Sequence, residues 1–212
     1  RQMCIRDREK GCWLLIMERL VSIIEAGDAL VLPTETVYGL FAKALDEKAV
    51  NAVYDLKQRP RDKAMNLNVA DFNSILAFSK EQPGYLKKLY QAFLPGPLTI
   101  ILKANDRVPY WINSGLPTVG FRLPNHPITA ALIQKTGPLI GPSANLSGKA
   151  SGRVFDRIMR DFDFKVIGYA DDPFLTGRDS TILDLSGERA VILRQGTITK
   201  EELLAKVPEL RF

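Results

Sequence analysis

In the stretch LKQRPRDKAMNL (residues 56–67) every second residue from Lys57 is a cation: Lys57, Arg59, Arg61 and Lys63. Pro60 keeps a helix from running through them. In an extended chain residues two apart share a face, so the row could bring several positive charges to one anion. A solvated basic loop fits the same pattern. The position of the row, directly after a helical segment and before an apolar strand, places it at a sheet end and favours the anion. Two more arginines sit inside apolar runs, Arg122 in VGFRLP and Arg194 in AVILRQG. A guanidinium there must find a partner, because desolvating it alone is expensive. Its rigid fork suits carboxylate and phosphate, although a buried pair with Asp or Glu, or an arginine reaching off the strand end, is the competing explanation. GPSANLSG (141–148) adds small hydroxyl and amide residues in a glycine-bounded turn, read as leading to a helix and able to aim N–H groups at phosphate. Its spacing is not that of a Walker loop. Glu35, the one carboxylate of TETVYGL, either helps hold a metal or caps a backbone N–H. His126, between Asn125 and Pro127, reads as a helix-start residue rather than a base.

The scarce residues narrow the chemistry. The 212 residues contain one histidine and two cysteines, Cys4 and Cys12. That leaves no basis for a His/Cys zinc site or a disulfide scaffold, and a Ser-His-Asp triad could use His126 alone. The chemistry therefore falls to Lys, Arg, Ser, Thr, Asn and the backbone. A balance of 29 Lys+Arg against 24 Asp+Glu gives +5, which suits an anionic partner. No run approaches the roughly 18 apolar residues of a membrane span. The five-residue run Trp13–Met17 is too short for a signal peptide. A cytoplasmic location is the expectation.

Positioning falls to alternating helices and strands. Trp13, Ile16, Met17, Leu20, Val21 and Ile24 have helical spacing. Strands are expected at 29–33, within FAKAL (41–45), and at 65–69, 98–103, 118–123, 138–141, 165–169, 181–185 and 190–194. Helices are expected at 46–58, with Ala49, Val53 and Leu56 on one face, and from Asp71 as N-cap to Phe78. Others follow at 84–93, 126–135, 153–162 and 200–206. Several strands follow one another directly, so a mixed sheet with helices on its faces is expected, in one domain.

Taken together, PTETVYGL (33–40), KQRPRDK (57–63), LPGPLT (94–99), VGFRLPNHP (119–127), PSANLSG (142–148), DSTILDL (179–185) and ILRQG (192–196) resemble the YrdC-type threonylcarbamoyl-AMP synthases, in order and over essentially the whole domain. The resemblance implies an α+β fold with α/β-type layers: a YrdC-like twisted mixed sheet, helices on its faces and a basic concave cleft. Residues 17–212 form that domain, in what looks like the family's short form, and 1–16 read as an extension of no assigned function.

It also implies condensation of L-threonine, bicarbonate or CO2 and ATP to threonylcarbamoyl-AMP and pyrophosphate. Mg²⁺ would accompany ATP, and a threonylcarbamoyl transferase would carry the product to adenosine 37 of tRNA. Matched residue by residue, Lys57, Arg59, Ser143 and Asn145 fall on the family's active-site set, with Lys57 and Arg59 facing the triphosphate. Thr36, Arg122, Ser143 and Ser180 fall on threonine positions, with Arg122 clamping the carboxylate. Lys57, Arg59, Lys63, Thr118, Asn145, Arg153 and Arg194 fall on ATP positions. There is one departure: many members read KxRPxxxPLxVH, where this chain has Ala64, Met65 and Asn68. Asn68 can hydrogen-bond but cannot titrate. A non-catalytic nucleotide- or RNA-binding module on the same fold, with direct tRNA contact, is the alternative.

Overall fold

The apolar spacing at the N-terminal end builds helix α1 (Lys10–Glu25) in the computed structural model, which describes residues 10–212, with side chains from Trp13 onward. The helix runs across the 16/17 boundary of the expected extension, and Ile16 is already buried. Residues 1–9 of that extension, Cys4 among them, lie outside the described residues. Ile16, Met17, Leu20 and Ile24 pack with Ile128, Leu132 and Ile133 of α6 (Pro127–Thr136) over Leu30, Leu32, Phe41 and Leu139. This layer covers one face of the sheet where β1 (Leu30–Leu32), β2 (Gly39–Lys43) and β7 (Leu139–Ile140) meet.

On α2 (Glu47–Lys57), Asp46 caps the first turn by accepting from the N–H groups of Lys48 and Ala49. Its buried stripe is Ala49, Val50, Val53, Tyr54 and Lys57. The sequence stripe held Leu56 instead, which is only half-buried. Next come β3 (Asn66–Asn68), α3 (Phe72–Phe78) with Asp71 as N-cap, β4 (Ser79–Lys80), α4 (Leu86–Phe93) and β5 (Leu98–Ala104). Helix α5 (Tyr110–Asn113) leads to β6 (Thr118–Arg122). After β7 the chain forms α7 (Phe155–Asp161), β8 (Ile167–Gly168), β9 (Thr181–Asp184), β10 (Val191–Arg194) and α8 (Lys200–Lys206).

The strands form one sheet in the order β10-β9-β5-β6-β3-β7-β2-β1-β8, with β4 pairing β5 from off that path. The pairs β1–β8, β3–β6 and β5–β9 are parallel, and the others are antiparallel. The expected mixed sheet is what the chain builds. Periodicity could not show β4 or α5, which are two and four residues long. The helix expected from Arg153 begins at Phe155, because the Gly152 carbonyl is taken by the Tyr38 N–H. The PSANLSG turn consequently does not run into a helix. No helix among the described residues is long and apolar enough to cross a membrane.

One buried hydroxyl ties the C-terminal strands together. Thr181 Oγ1 donates to the Ile198 carbonyl at 2.6 Å and accepts from the N–H groups of Gly196 (3.1 Å) and Ile198 (3.0 Å). Thr181→Val keeps the shape and leaves the Gly196 and Ile198 N–H groups unpaired, while the Ile198 carbonyl keeps its bond from Gln195 Nε2 at 2.8 Å, so it is expected to cost about 2 kcal/mol of unfolding free energy. Denaturant titration checks this, and a loss below about 0.5 kcal/mol would refute it.

Candidate active site on one face of the sheet

Strand alternation makes the floor of the site. In register, Asn66 lies beside Gly120 and Asn68 beside Arg122 on the parallel pair β3–β6. Ile101 of β5 lies beside Gly120, and Thr99 of β5 beside Ile182 of β9. The residues between them, Leu67, Ile100, Phe121 and Leu183, are fully buried on the opposite face. Period 2 thus gives one face to the core and the other to a cavity of about 310 Å³. Two glycines make room for the asparagine side chains of this floor. A Cβ on Gly120 would come within 2.2 Å of Asn66 Oδ1, and one on Gly141 within 2.5 Å of the Phe41 ring and 2.7 Å of Asn68 Nδ2.

Three arginines line this cavity, and most of the hydrogen bonds they make go to neutral oxygens. Arg59 gives Nε to the Lys63 carbonyl (3.2 Å) and Nη2 to that of Ala64 (2.9 Å). Arg194 gives Nε to the Ser180 carbonyl (3.1 Å) and Nη2 to the Ser180 hydroxyl (3.0 Å), which also lies 3.3 Å from Thr99 Oγ1. Arg122 Nη2 reaches Thr36 Oγ1 at 2.6 Å and Glu35 Oε1 at 2.9 Å. Arg122 Nε is buried with no acceptor among the described residues, so it has a hydrogen bond to give. Glu35 spends its other oxygen on the Asn125 N–H at 2.9 Å. Of the two readings of Glu35, capping is the one observed, joined to an ion pair with Arg122.

Lys57 is placed differently from expectation. It is 2% exposed and lies behind the cavity wall, not on it. Its Nζ donates to the carbonyls of Ser143 and Asn145, and its own carbonyl accepts from the Ser147 N–H at 2.8 Å. Ser143 lines the cavity, and its hydroxyl donates to Asn145 Oδ1. Asn145 Nδ2 donates to the carbonyls of Leu146 (2.8 Å) and Lys149 (2.9 Å). Burial, with the neighbouring Arg59 charge adding to it, pushes Lys57 down to about 7.

The alternating basic row does not converge. Gln58 caps α2 in the left-handed region (φ 50°), so the chain is not extended there. Arg61 turns back to Asp55 (2.5 Å) and Asn51. Of the other expected residues, Thr36 stands behind Arg122. Lys63 is exposed and supplies its carbonyl to Arg59. Thr118, at the opposite end of β6 from Arg122, and the exposed Arg153 both lie off the cavity lining.

His126 is the N-cap residue of α6, as its reading as a helix-start residue required. Its Nε2 is 3.3 Å from Asp171, its ring packs 4.5 Å from that of Phe174, and burial pushes the imidazole down. Sequence reasoning passed over Tyr38, Asn66 and Asp179, all of which line the cavity. Tyr38 is held protonated by burial and by donating to Asp172 (2.6 Å), and its oxygen accepts the Asp171 N–H at 2.8 Å. Asp179 accepts from Ser151 at 3.0 Å and faces the Arg194 charge. The polar alternation in Asn66-Leu67-Asn68 was a readable signal; Tyr38 gave none.

Known proteins share this arrangement of strands. The family model described as "Telomere recombination" (Sua5, YciO and YrdC) matches residues 22–196. A threonylcarbamoyl-AMP synthase of Bacillus subtilis is 37% identical over 189 residues, 88% of this chain and 55% of that protein. One from Pyrococcus abyssi is 38% identical over 89% of this chain and 56% of its own length. The chain therefore spans about half the length of these two relatives. A putative threonylcarbamoyl-AMP synthase of Methanocaldococcus jannaschii is 34% identical, with 89% of both chains covered. Among solved structures, P. abyssi Sua5 complexed with L-threonine superposes with a TM-score of 0.89 at 36% identity, over 100% of this chain and 62% of that one.

The depressed Lys57 has a consequence for stability. Between about 7 and the ordinary lysine value of 10.5 the unfolded chain holds a proton there that the folded chain does not. The Lys57 contribution to stability is therefore greatest above that window and is lost as pH falls through it. Wild type is expected to gain on Lys57→Met in denaturant midpoint from pH 7 to pH 10. A flat difference would refute the burial of this charge.

Proposed function

The chain belongs to the Sua5–YciO–YrdC family, and from that premise we propose that it is an L-threonylcarbamoyladenylate synthase, a nucleotidyltransferase acting on L-threonine, bicarbonate or CO2, and ATP. The observation that carries the proposal is the convergence of Arg59, Arg122 and Arg194 on one cavity whose lining residues include a single carboxylate, Asp179, with Glu35 paired to Arg122 beside it. Such a wall takes two anions, an amino-acid carboxylate and a triphosphate.

The threonine amine attacks CO2 and loses a proton to give a carbamate. A carbamate oxygen then attacks the α-phosphorus of ATP, the P–O bond to the β-phosphate breaks, and pyrophosphate leaves with its electron pair. The substrate supplies the nucleophile, so the protein contributes position and charge compensation. Arg122, steadied by Thr36 and Glu35, takes the threonine carboxylate through its unused edge, with Ser143 and Ser180 on either side. Arg59 and Arg194 take the phosphates. Asn145 and Lys57 hold the Ser143 turn, while Lys63, Thr118 and Arg153 extend the nucleotide site beyond the cavity. Mg²⁺ arrives as part of the ATP substrate and is held mainly by phosphate oxygens, since both Glu35 oxygens are engaged. A threonylcarbamoyl transferase in the cytoplasm consumes the product, modifying adenosine 37 of tRNA.

Pyrophosphate release from ATP and bicarbonate should require L-threonine. Nucleotide binding without threonine-dependent release would instead identify a non-catalytic nucleotide- or RNA-binding module. Arg122→Lys keeps the charge and loses the fork, so the KM for threonine should rise about 10- to 100-fold, the equivalent of one or two charge-assisted hydrogen bonds. An unchanged KM would remove Arg122 from the carboxylate site.

A further inference from the structure

Four observations about Lys57 belong together. It completes the buried stripe of α2, one turn beyond Val53 and Tyr54, so its stem is fixed by packing. Its ammonium lies off the cavity lining. Two of its donors go to carbonyls of one turn, those of Ser143 and Asn145. Its own carbonyl receives the Ser147 N–H of that turn. The turn is thus gripped at both ends of one residue. Without the ammonium, two carbonyls would point into a buried space with the Asn145 N–H, at 2.9 Å from the Ser143 oxygen, as the remaining donor. Leaving such groups unpaired is costly, and the turn would rotate to solvate them, carrying the Ser143 hydroxyl off the cavity.

We infer that Lys57 is a positioning residue: it works from behind the wall by drawing the Ser143 and Asn145 carbonyls inward, which presents the Ser143 side chain to the ligand, and it does not pair with a phosphate. This deepens the adenylate-forming reading above and rests on it for the identity of the ligand. It also separates two residues that lie side by side in sequence, since Arg59 lines the cavity and Lys57 does not.

A phosphate-pairing lysine contributes to ATP far more than to AMP, whereas a residue that shapes the Ser143 turn affects both alike. Lys57→Met is therefore expected to weaken ATP and AMP binding by the same factor, about tenfold each, leaving their ratio within about twofold. Amide exchange at Ala144–Ser147 should accelerate by about tenfold or more. Lys57→Gln is neutral but restores N–H donors for the two carbonyls, and should recover both affinities and the slow exchange. Gln could not replace an ammonium that neutralises phosphate. Loss of ATP affinity at least about tenfold beyond that of AMP, with exchange in the turn unchanged, would overturn the inference. If wild type binds neither nucleotide, the reading in the preceding subsection fails, and turn exchange in Lys57→Met alone decides: faster supports the inference and unchanged refutes it. If Lys57→Met does not fold, Lys57→Gln decides by the same two measurements.

Discussion

Most of the cations of this site are held by oxygens that carry no full charge. Lys57 rests on two carbonyls, Arg59 on two more, and Arg194 on a carbonyl and a hydroxyl of Ser180. Among the described residues of the site, Arg122 alone hydrogen-bonds a carboxylate, and there two threonine hydroxyls share the guanidinium. Carbonyl and hydroxyl dipoles fix geometry without cancelling charge, so the wall keeps its positive potential in a partly desolvated space. The other arrangements follow from this one. The turn at Ser143 must offer its carbonyls to α2, the 63–64 backbone must face Arg59, and Ser180 must stand at the mouth of β9.

Tyr38 links these parts mechanically. Its N–H and C=O reach Gly152 and Ala144, and its hydroxyl joins Asp171 and Asp172. The segment that follows returns to the threonine-rich turn through the N–H groups of Thr176 and Gly177, which bond the carbonyls of Glu35 and Thr36. Loops from three parts of the sequence therefore share one set of hydrogen bonds around the cavity. A site built on loops has rigid walls only when such cross-links exist.

The sequence was legible where local physics decides. Asp71 announced its helix because a side-chain oxygen satisfies first-turn N–H groups whatever the tertiary context, and Asp46, at the start of a helix expected from its apolar face, caps in the same way. The central strands were found as short apolar runs, 65–69, 98–103, 118–123 and 181–185 among them. The basic row misled for an equally local reason. A left-handed Gln58 breaks the two-residue period, and nothing short of the fold shows that Arg61 has Asp55 and Asn51 waiting on α2. Lys57 was found as a charge but misplaced, because its helical spacing from Val50 and Val53 was overlooked in favour of its sequence neighbours. Tyr38 owes its part entirely to Asp171 and Asp172, more than 130 residues away, and no window along the chain contains that pairing.

Gly120 and Gly141 shape the cavity floor by what they lack. Each leaves space where a single methyl group would meet the side chain of an asparagine on β3. Gly120 on β6 and Gly141 just after β7 thus give the two asparagine side chains room to lie across the floor, and a side chain at either position would displace them. The orientation of the polar floor is thereby set from neighbouring backbone that carries no side chain of its own.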